Sequence, residues 1–211
     1  LPPDLTRVLD VGCGKGAVSI SLAKKFDFQV KGIDFFEPFI KEAEKKAKEF
    51  NVSTLCQFDL ADMREAVLSE TEYNMVIYTA IGGVLGSLDQ SIGKLRQTVN
   101  EGGLIIIDDG FLKNSERIDF PGYRYCGSYK DTVDQLTSHG DQIIKEKVFS
   151  TEEIRFINQQ NTDWISKRAD NLARQFPRQA ELFYDFVENE KKECKIIEHD
   201  VNCAVWMIQK M

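Results

Sequence analysis

Residues 8–17 read Val-Leu-Asp-Val-Gly-Cys-Gly-Lys-Gly-Ala. An apolar strand (Val8, Leu9, Val11) runs into Gly12, Gly14 and Gly16, and an amphipathic helix pattern follows. Glycine at such a strand-to-helix turn lets the backbone approach a ligand closely, because no Cβ intervenes. The spacing separates ligand classes. A dinucleotide-binding turn has the pattern G-x-G-x-x-G, with the pyrophosphate on the helix N-terminus. Here the third glycine comes one residue early and Asp10 stands before the first. A carboxylate there repels a pyrophosphate and suits a ligand bearing ammonium and hydroxyl groups.

The composition bounds the rest. A chain of 211 residues accommodates one large domain, or one domain with an appended subdomain. Hydrophobic residues at 42% and charged residues at 29% are ordinary for a globular protein. A net charge of −7 sets the overall field against nucleic acid, and no Lys/Arg cluster opposes it. Lys41, Lys45, Lys46 and Lys48 alternate with glutamates on a solvated helix face. The five cysteines (Cys13, Cys56, Cys126, Cys194, Cys203) are scattered without C-x-x-C spacing. They are expected as reduced thiols of a cytoplasmic protein, with neither a disulfide framework nor a zinc site. No apolar run reaches membrane-spanning length, so no membrane partner is expected. Leu1 in place of methionine, with a strand starting a few residues later, leads us to expect a further N-terminal segment in the natural protein.

Strand patterns fall at 7–11, 28–33, 54–58, 75–78 and 104–108, each short, apolar and ended by glycine or aspartate. Helical patterns lie between them at about 17–25, at 38–50 with Pro38 in the first turn, and from the N-cap candidate Ser87 onward. This alternation predicts an α/β, doubly wound, mostly parallel seven-stranded sheet with helices on both faces. Its ligand is expected at the carboxyl ends of the strands. Further on, 128–138 reads as helix and 142–149 as a sixth strand. Residues 151–194 read as helix interrupted near Asn161 and at Pro177, and 194–210 as a last strand pairing with the sixth. A connection of that length is too long for an ordinary crossover. The chain therefore divides into 1–150 with 195–211 as the ligand-binding domain and 151–194 as a helical cap or insertion.

The glycine turn resembles motif I of the class I S-adenosylmethionine-dependent methyltransferases. Gly32-Ile33-Asp34, Asp59-Leu60-Ala61-Asp62-Met63, 73–80 and 101–109 agree with that family in order and spacing. The resemblance covers about 6–110 by motif, and 128–150 with 196–210 by topology only. It implies a Rossmann-like methyltransferase fold with S-adenosyl-L-methionine as methyl donor and S-adenosyl-L-homocysteine as product. It also implies roles. Gly12, Cys13, Gly14 and Gly16 line the methionine portion, with Cys13 packing as a small hydrophobe. Asp10 holds the amino group, directly or through water. Asp34 accepts from both ribose hydroxyls, and Phe35 packs on the adenine or, with Phe36, belongs to the core. Asp62 receives the adenine amino group beside Met63, or caps the next helix; Asp59 competes for the adenine role. Thr79 and Ala80, with Ile81, border the transferring methyl.

The remaining expectations concern the acceptor. Asp108-Asp109 resembles the Asp-Asn pair of metal-dependent catechol-type methyltransferases, but Tyr78-Thr79-Ala80 replaces the carboxylate those enzymes carry after the fourth strand. Two adjacent carboxylates do not make a Mg²⁺ site, and no metal is expected. No Asn/Asp-Pro-Pro-Tyr sequence follows the fourth strand, as it does in nucleic-acid and glutamine N-methyltransferases. The expected reaction is direct displacement of the sulfonium methyl by a small-molecule acceptor. Asp109, Tyr123 and Tyr125 are the catalytic candidates, and His139 is expected in a turn away from the site. The insertion, with Trp164, Arg168, Phe183 and Phe186, serves as a lid, as the contact of a homodimer, or both. The alternative is a non-catalytic cofactor-binding partner or regulatory subunit.

Overall fold

Val8 and Leu9 point to opposite sides of one strand, and the two hydrophobic cores follow from that split. The computed structural model describes residues 1–211 apart from Asp4, Ser115, Glu116 and Arg124. Its elements in chain order are β1 (Arg7–Val11), α1 (Ala17–Phe26), β2 (Gln29–Asp34), α2 (Glu37–Glu49), β3 (Cys56–Leu60), α3 (Met63–Ala66) and β4 (Tyr73–Thr79). They continue with α4 (Leu88–Thr98), β5 (Val99–Leu112), α5 (Tyr129–Leu136), β6 (Gln142–Val148), α6 (Thr151–Gln175), α7 (Ala180–Asp200) and β7 (Val201–Gln209).

On one face Val8 packs with Ile20 and Ala23 of α1, Ile40 and Ala43 of α2, and Phe58. On the other, Leu9 and Val11 pack with Met63 of α3, Ile92 and Leu95 of α4, Leu136 of α5 and Trp206. Burial on both faces explains why β1 and β4 read as continuous apolar runs rather than alternations. Each such aliphatic side chain contributes roughly 1.5–3 kcal/mol on leaving water.

The sheet order is β3-β2-β1-β4-β5-β7-β6. The first five strands run parallel to one another, while β7 runs antiparallel between β5 and β6. The order reverses at β1, so the crevice at its carboxyl end, between β2 and β4, is the topological switch point.

β6 runs in the same direction as β5, so it also ends on the carboxyl rim. The chain leaves there as α6 and returns as α7 before β7 descends. Lys113, just past β5, pins the base of this hairpin: its amide donates to the Asp200 carbonyl (2.8 Å) and its Nζ to the Glu198 carbonyl (2.7 Å) and Thr151 Oγ1 (3.2 Å). Higher up, Asn158 Nδ2 donates to Glu198 Oε1 (3.0 Å), and Ala169, Ala173 and Val187 are buried along the hairpin. A helix of this length spans roughly 37 Å.

Three details depart from the sequence reading. Asn161 does not interrupt α6, since an exposed Asn costs a helix only tenths of a kcal/mol; the break comes at Phe176-Pro177. The last strand begins at Val201 rather than Cys194, because Cys194 and Glu198 face α6 across the hairpin and strict alternation starts only afterwards. β5 extends from Val99 to Leu112, well beyond 104–108: its far end pairs with the long β7 as far as Leu112, and its start pairs with β4 at Val99.

One packing constraint ties the sheet to the glycine turn. A Cβ on Gly32 would lie 2.8 Å from Cys13 Sγ and 2.8 Å from Phe58 Cδ1. Gly32→Ala is therefore expected to cost about 1–3 kcal/mol through overpacking, read as a lowered urea midpoint. Wild-type stability would mean that Cys13 is not held against β2.

Candidate functional site

The glycine turn closes β1 over the end of β2. Gly12 and Cys13 both donate their amides to the Ile33 carbonyl (2.8 and 2.9 Å). Gly12, Gly14 and Gly16 all have positive φ, and Gly16 in the left-handed conformation starts α1. Gly12 has a second reason to lack a side chain: its Cβ would sit 2.4 Å from Ile81 Cδ1. Ile81, beyond β4, thus reaches across the switch point onto the turn.

Asp34 is the junction of three loops. Its Oδ2 accepts the Gly14 amide (3.0 Å), its Oδ1 accepts the Phe36 amide (2.9 Å), and its carbonyl accepts the Ala61 amide (3.0 Å). One buried carboxylate at the end of β2 therefore joins the glycine turn to the start of the β2–α2 loop, and its backbone joins the β3–α3 loop.

Asp10 lies beneath the turn, 2% exposed, with Ser19 Oγ donating to its Oδ2. Burial raises its carboxyl to about 6, against the lowering effect of the Ser19 hydrogen bonds. Cys13 is buried and packs on Gly32; desolvation, then the Asp10 and Asp34 charges, push its thiol up, so it stays protonated. The core alternative fails for Phe35 and Phe36, residues that are 71% and 45% exposed at the rim. Phe36 meets Phe39 edge-on at 4.8 Å.

Asp62 caps α3 by accepting the Arg64 amide (2.9 Å) and is also gripped by the Arg64 guanidinium, which lowers its carboxyl to about 2. Its competitor Asp59 pairs with Lys31 (3.0 Å). Met63 is buried, its methyl 3.1 Å from where a Gly12 Cβ would stand.

Beyond β4, Ala80 adopts positive φ and turns the chain along the rim. Tyr78 holds this loop by donating its hydroxyl to the Gly82 carbonyl (2.7 Å) and accepting the Leu85 amide (3.3 Å). The loop walls a cavity of about 460 Å³. Ala80 and Ile81 line one side and Asp108 and Asp109 the floor; Tyr123, Tyr125 and Cys126 come from the irregular stretch between β5 and α5, Glu193 and Ile197 from α7, and Cys203 from β7. Asp109 Oδ1 accepts the Gly110 amide (2.7 Å), and burial raises the carboxyls of both Asp108 and Asp109. Tyr123 donates its hydroxyl to Glu193 Oε1 (2.9 Å), linking the irregular stretch to α7. Burial holds the Cys126 and Cys203 thiols up at about 12 and about 11.

The structure thus brings Asp109, Tyr123, Tyr125 and Ala80 to one cavity, and gathers Asp10, Gly12, Cys13, Gly14, Asp34 and Met63 at the turn beside it. Tyr125 is 73% exposed and stands at the mouth. His139 lies elsewhere: its Nε2 is 3.0 Å from the Asp89 carbonyl and it packs on Gly93 of α4. Glu193 escaped the sequence reading because its surroundings, Glu-Lys-Lys-Glu, look like a solvated helix face. Among the described residues no group of three or more His, Cys, Asp or Glu side chains could hold a metal ion, and no helix is long and apolar enough to cross a membrane.

A family model described as a methyltransferase domain matches residues 3–169. A probable cobalt-precorrin-6B C(15)-methyltransferase (decarboxylating) of Methanococcus maripaludis is 30% identical over 138 residues, covering 64% of this chain and 70% of that protein. A ribosomal protein L11 methyltransferase of Ruminiclostridium cellulolyticum is 34% identical over 94 residues, 42% of this chain and 28% of its own length. Two other curated relatives are matched over only 35% and 46% of their lengths. Among solved structures, a methyltransferase of Thiobacillus denitrificans in complex with S-adenosyl-L-homocysteine superposes with a TM-score of 0.83 at 16% identity, over 100% of this chain and 87% of that one. The match over 3–169 and the shared seven-stranded fold agree with the glycine turn and its acids: the chain belongs to the class I S-adenosylmethionine-dependent methyltransferases.

Proposed function

We propose that this chain transfers a methyl group from S-adenosylmethionine to a small-molecule acceptor in the cavity between the β4 and β5 exits and α7. The observation that carries the reading is the contact of Ile81 with Gly12, which sets the cavity wall directly against the glycine turn. The turn fits the donor on its own terms. A Cβ on Gly14 would meet nothing within 4 Å, so the turn leaves open space at that position for a ligand. Asp34 uses one hydrogen bond on each carboxylate oxygen, and each oxygen has lone-pair capacity left for a ribose hydroxyl. The exposed Phe35 ring offers an apolar face for the adenine at the same rim.

When bound, S-adenosylmethionine supplies an electrophilic methyl group on a good leaving sulfur. The protein then has to align the acceptor and exclude water. Thr79 and Ala80 border the transfer line, Asp109 is the group in the cavity fitted to take a proton, and Tyr123 with Glu193 positions the acceptor. Glu193 and Ile197 support the lid role of the insertion. The outward Trp164, Leu182 and Phe186, each more than half exposed, support a homodimer contact on the same hairpin. Five free thiols support a reducing, cytoplasmic setting. The acidic balance, at −7, argues against a nucleic-acid acceptor.

Asp34→Ala should weaken S-adenosylhomocysteine binding by on the order of 10–100-fold, through the lost pair of charge-assisted hydrogen bonds. Unchanged affinity by calorimetry would mean the ribose is held elsewhere. With S-adenosylmethionine and a metabolite extract, a product heavier by one methyl group is expected; donor binding without any such product would make the chain a non-catalytic subunit.

Asp10 adds a pH signature. In the free protein its carboxyl takes up a proton near pH 6, while an ammonium group beside it favours the ionised form. Binding then expels a proton, and affinity for S-adenosylhomocysteine should fall as pH drops from 7 toward 5. Titrations near pH 6 in buffers of different ionisation enthalpy should register that proton, and Asp10→Asn should abolish it. A pH-independent affinity in the wild type would separate Asp10 from the amino group.

A further inference from the structure

We propose that the cavity takes a small organic amine, received as its ammonium ion between Asp109 and the Tyr123–Glu193 pair and methylated on nitrogen. This deepens the reading above and rests on the cavity being the acceptor site.

The cavity's wall is chemically one-sided. Its ionisable members are carboxylates (Asp108, Asp109, Glu193), the phenols Tyr123 and Tyr125, and thiols; among the described residues it contains no Lys, Arg or His. Lys192 and Lys195, which flank Glu193 in the chain, are exposed on α7 and lie outside the lining, and three other basic groups are committed elsewhere. Lys113 Nζ binds the Glu198 carbonyl and Thr151 Oγ1, Lys94 Nζ binds the Leu85 carbonyl (2.7 Å), and His139 sits at the Asp89 carbonyl. Carboxylates removed from water require a counter-charge or a proton. Among the described residues the lining supplies no cation, and desolvation raises the proton affinity of Asp108 and Asp109.

An incoming ammonium ion would meet that requirement. Two tyrosine rings at the wall add the attraction of aromatic faces for a cation. A carboxylate or phosphate acceptor would instead bring a like charge beside three acids. A phenol would have to develop its phenolate there.

The chemistry closes on groups present. The bound ammonium passes one proton to the Asp109 carboxylate, which leaves a neutral amine with a free lone pair. That lone pair forms the bond to the methyl carbon as the carbon–sulfur bond breaks, and the breaking pair stays on sulfur. The product amine is again cationic, and the proton on Asp109 is released to solvent with it. Glu193, held by the Tyr123 hydroxyl, selects the acceptor's charge.

The test uses the full chain loaded with S-adenosylhomocysteine and reads binding before activity. Benzyltrimethylammonium, which has the charge but no nitrogen lone pair, and primary and secondary amines from methylamine to benzylamine are titrated beside benzoate and phenol. The cations are expected to bind and benzoate to fail. Glu193→Gln should weaken cation binding by on the order of tenfold while S-adenosylhomocysteine affinity stays within about twofold. With S-adenosylmethionine, amines should become methylated, benzyltrimethylammonium should inhibit competitively, and Asp109→Asn should lower kcat by on the order of 100-fold. Tyr123→Phe, which keeps the ring and its packing, should raise KM for the amine with kcat little changed. Normal S-adenosylhomocysteine binding with no cation bound, or with benzoate or phenol preferred, overturns the amine assignment and leaves the donor reading standing. Loss of S-adenosylhomocysteine binding in the wild type would overturn both.

Discussion

The carboxylate of Asp34 is the interaction on which the rest of the site depends. It stands at the end of β2 and is bonded on one side to the glycine turn and on the other to the loop entering α2, while its own carbonyl receives Ala61 from the β3 exit. Three loops that are separate in the chain are thus held in one arrangement by one residue. Charge-assisted hydrogen bonds of this type contribute roughly 1.5–3 kcal/mol each. The same oxygens keep lone pairs directed to the crevice, so the group that organises the rim can also receive a ligand without rearranging it.

Around that junction the protein gathers acids wholly or partly removed from water. Asp10 under the turn and Asp108 and Asp109 in the cavity floor are all pushed up by desolvation, and among the described residues no arginine or lysine contacts them. The contrast with the periphery is informative. Asp141, fully buried, is held by the Arg96 guanidinium (3.0 Å), and Asp59 and Glu70 share Lys31. Where these acids serve the fold they are neutralised by the chain; at the carboxyl rim no described lysine or arginine pairs with them.

The insertion owes its place to strand direction. Because β6 is parallel to β5 and β7 returns antiparallel, the α6–α7 hairpin must leave and re-enter on the rim that carries the glycine turn. Lys113 anchors it to the β5 exit, and the last turns of α7 then contribute Glu193 and Ile197 to the cavity. Its outer faces keep large apolar side chains in solvent, the composition expected of a contact surface.

The amino-acid sequence by itself determined the strand–helix alternation, the parallel sheet and the donor-side turn. Those signals are local: apolar runs of strand length, glycines at positions requiring positive φ, and an acid closing β2 each act through neighbours in the chain. Asp62 shows the limit even there. The Asp62–Glu65 spacing makes its capping geometry legible, but its capture by Arg64, two residues on, is a side-chain choice that spacing does not fix. Helix continues to Asp200 where the pattern suggests strand, because an amphipathic helix face and a strand can both carry Ile196, Ile197 and Val201; contacts across the hairpin, such as Asn158 with Glu198, keep it helical until β7 pairing starts at Val201. The cavity was decided by tertiary structure alone. Ile81, Asp109, Tyr123, Glu193 and Cys203 are brought together from five segments, and no spacing rule connects residues so far apart in the chain. Their convergence follows from the antiparallel entry of β7 and the return of α7 over the rim, a consequence of sheet topology that local pattern does not encode.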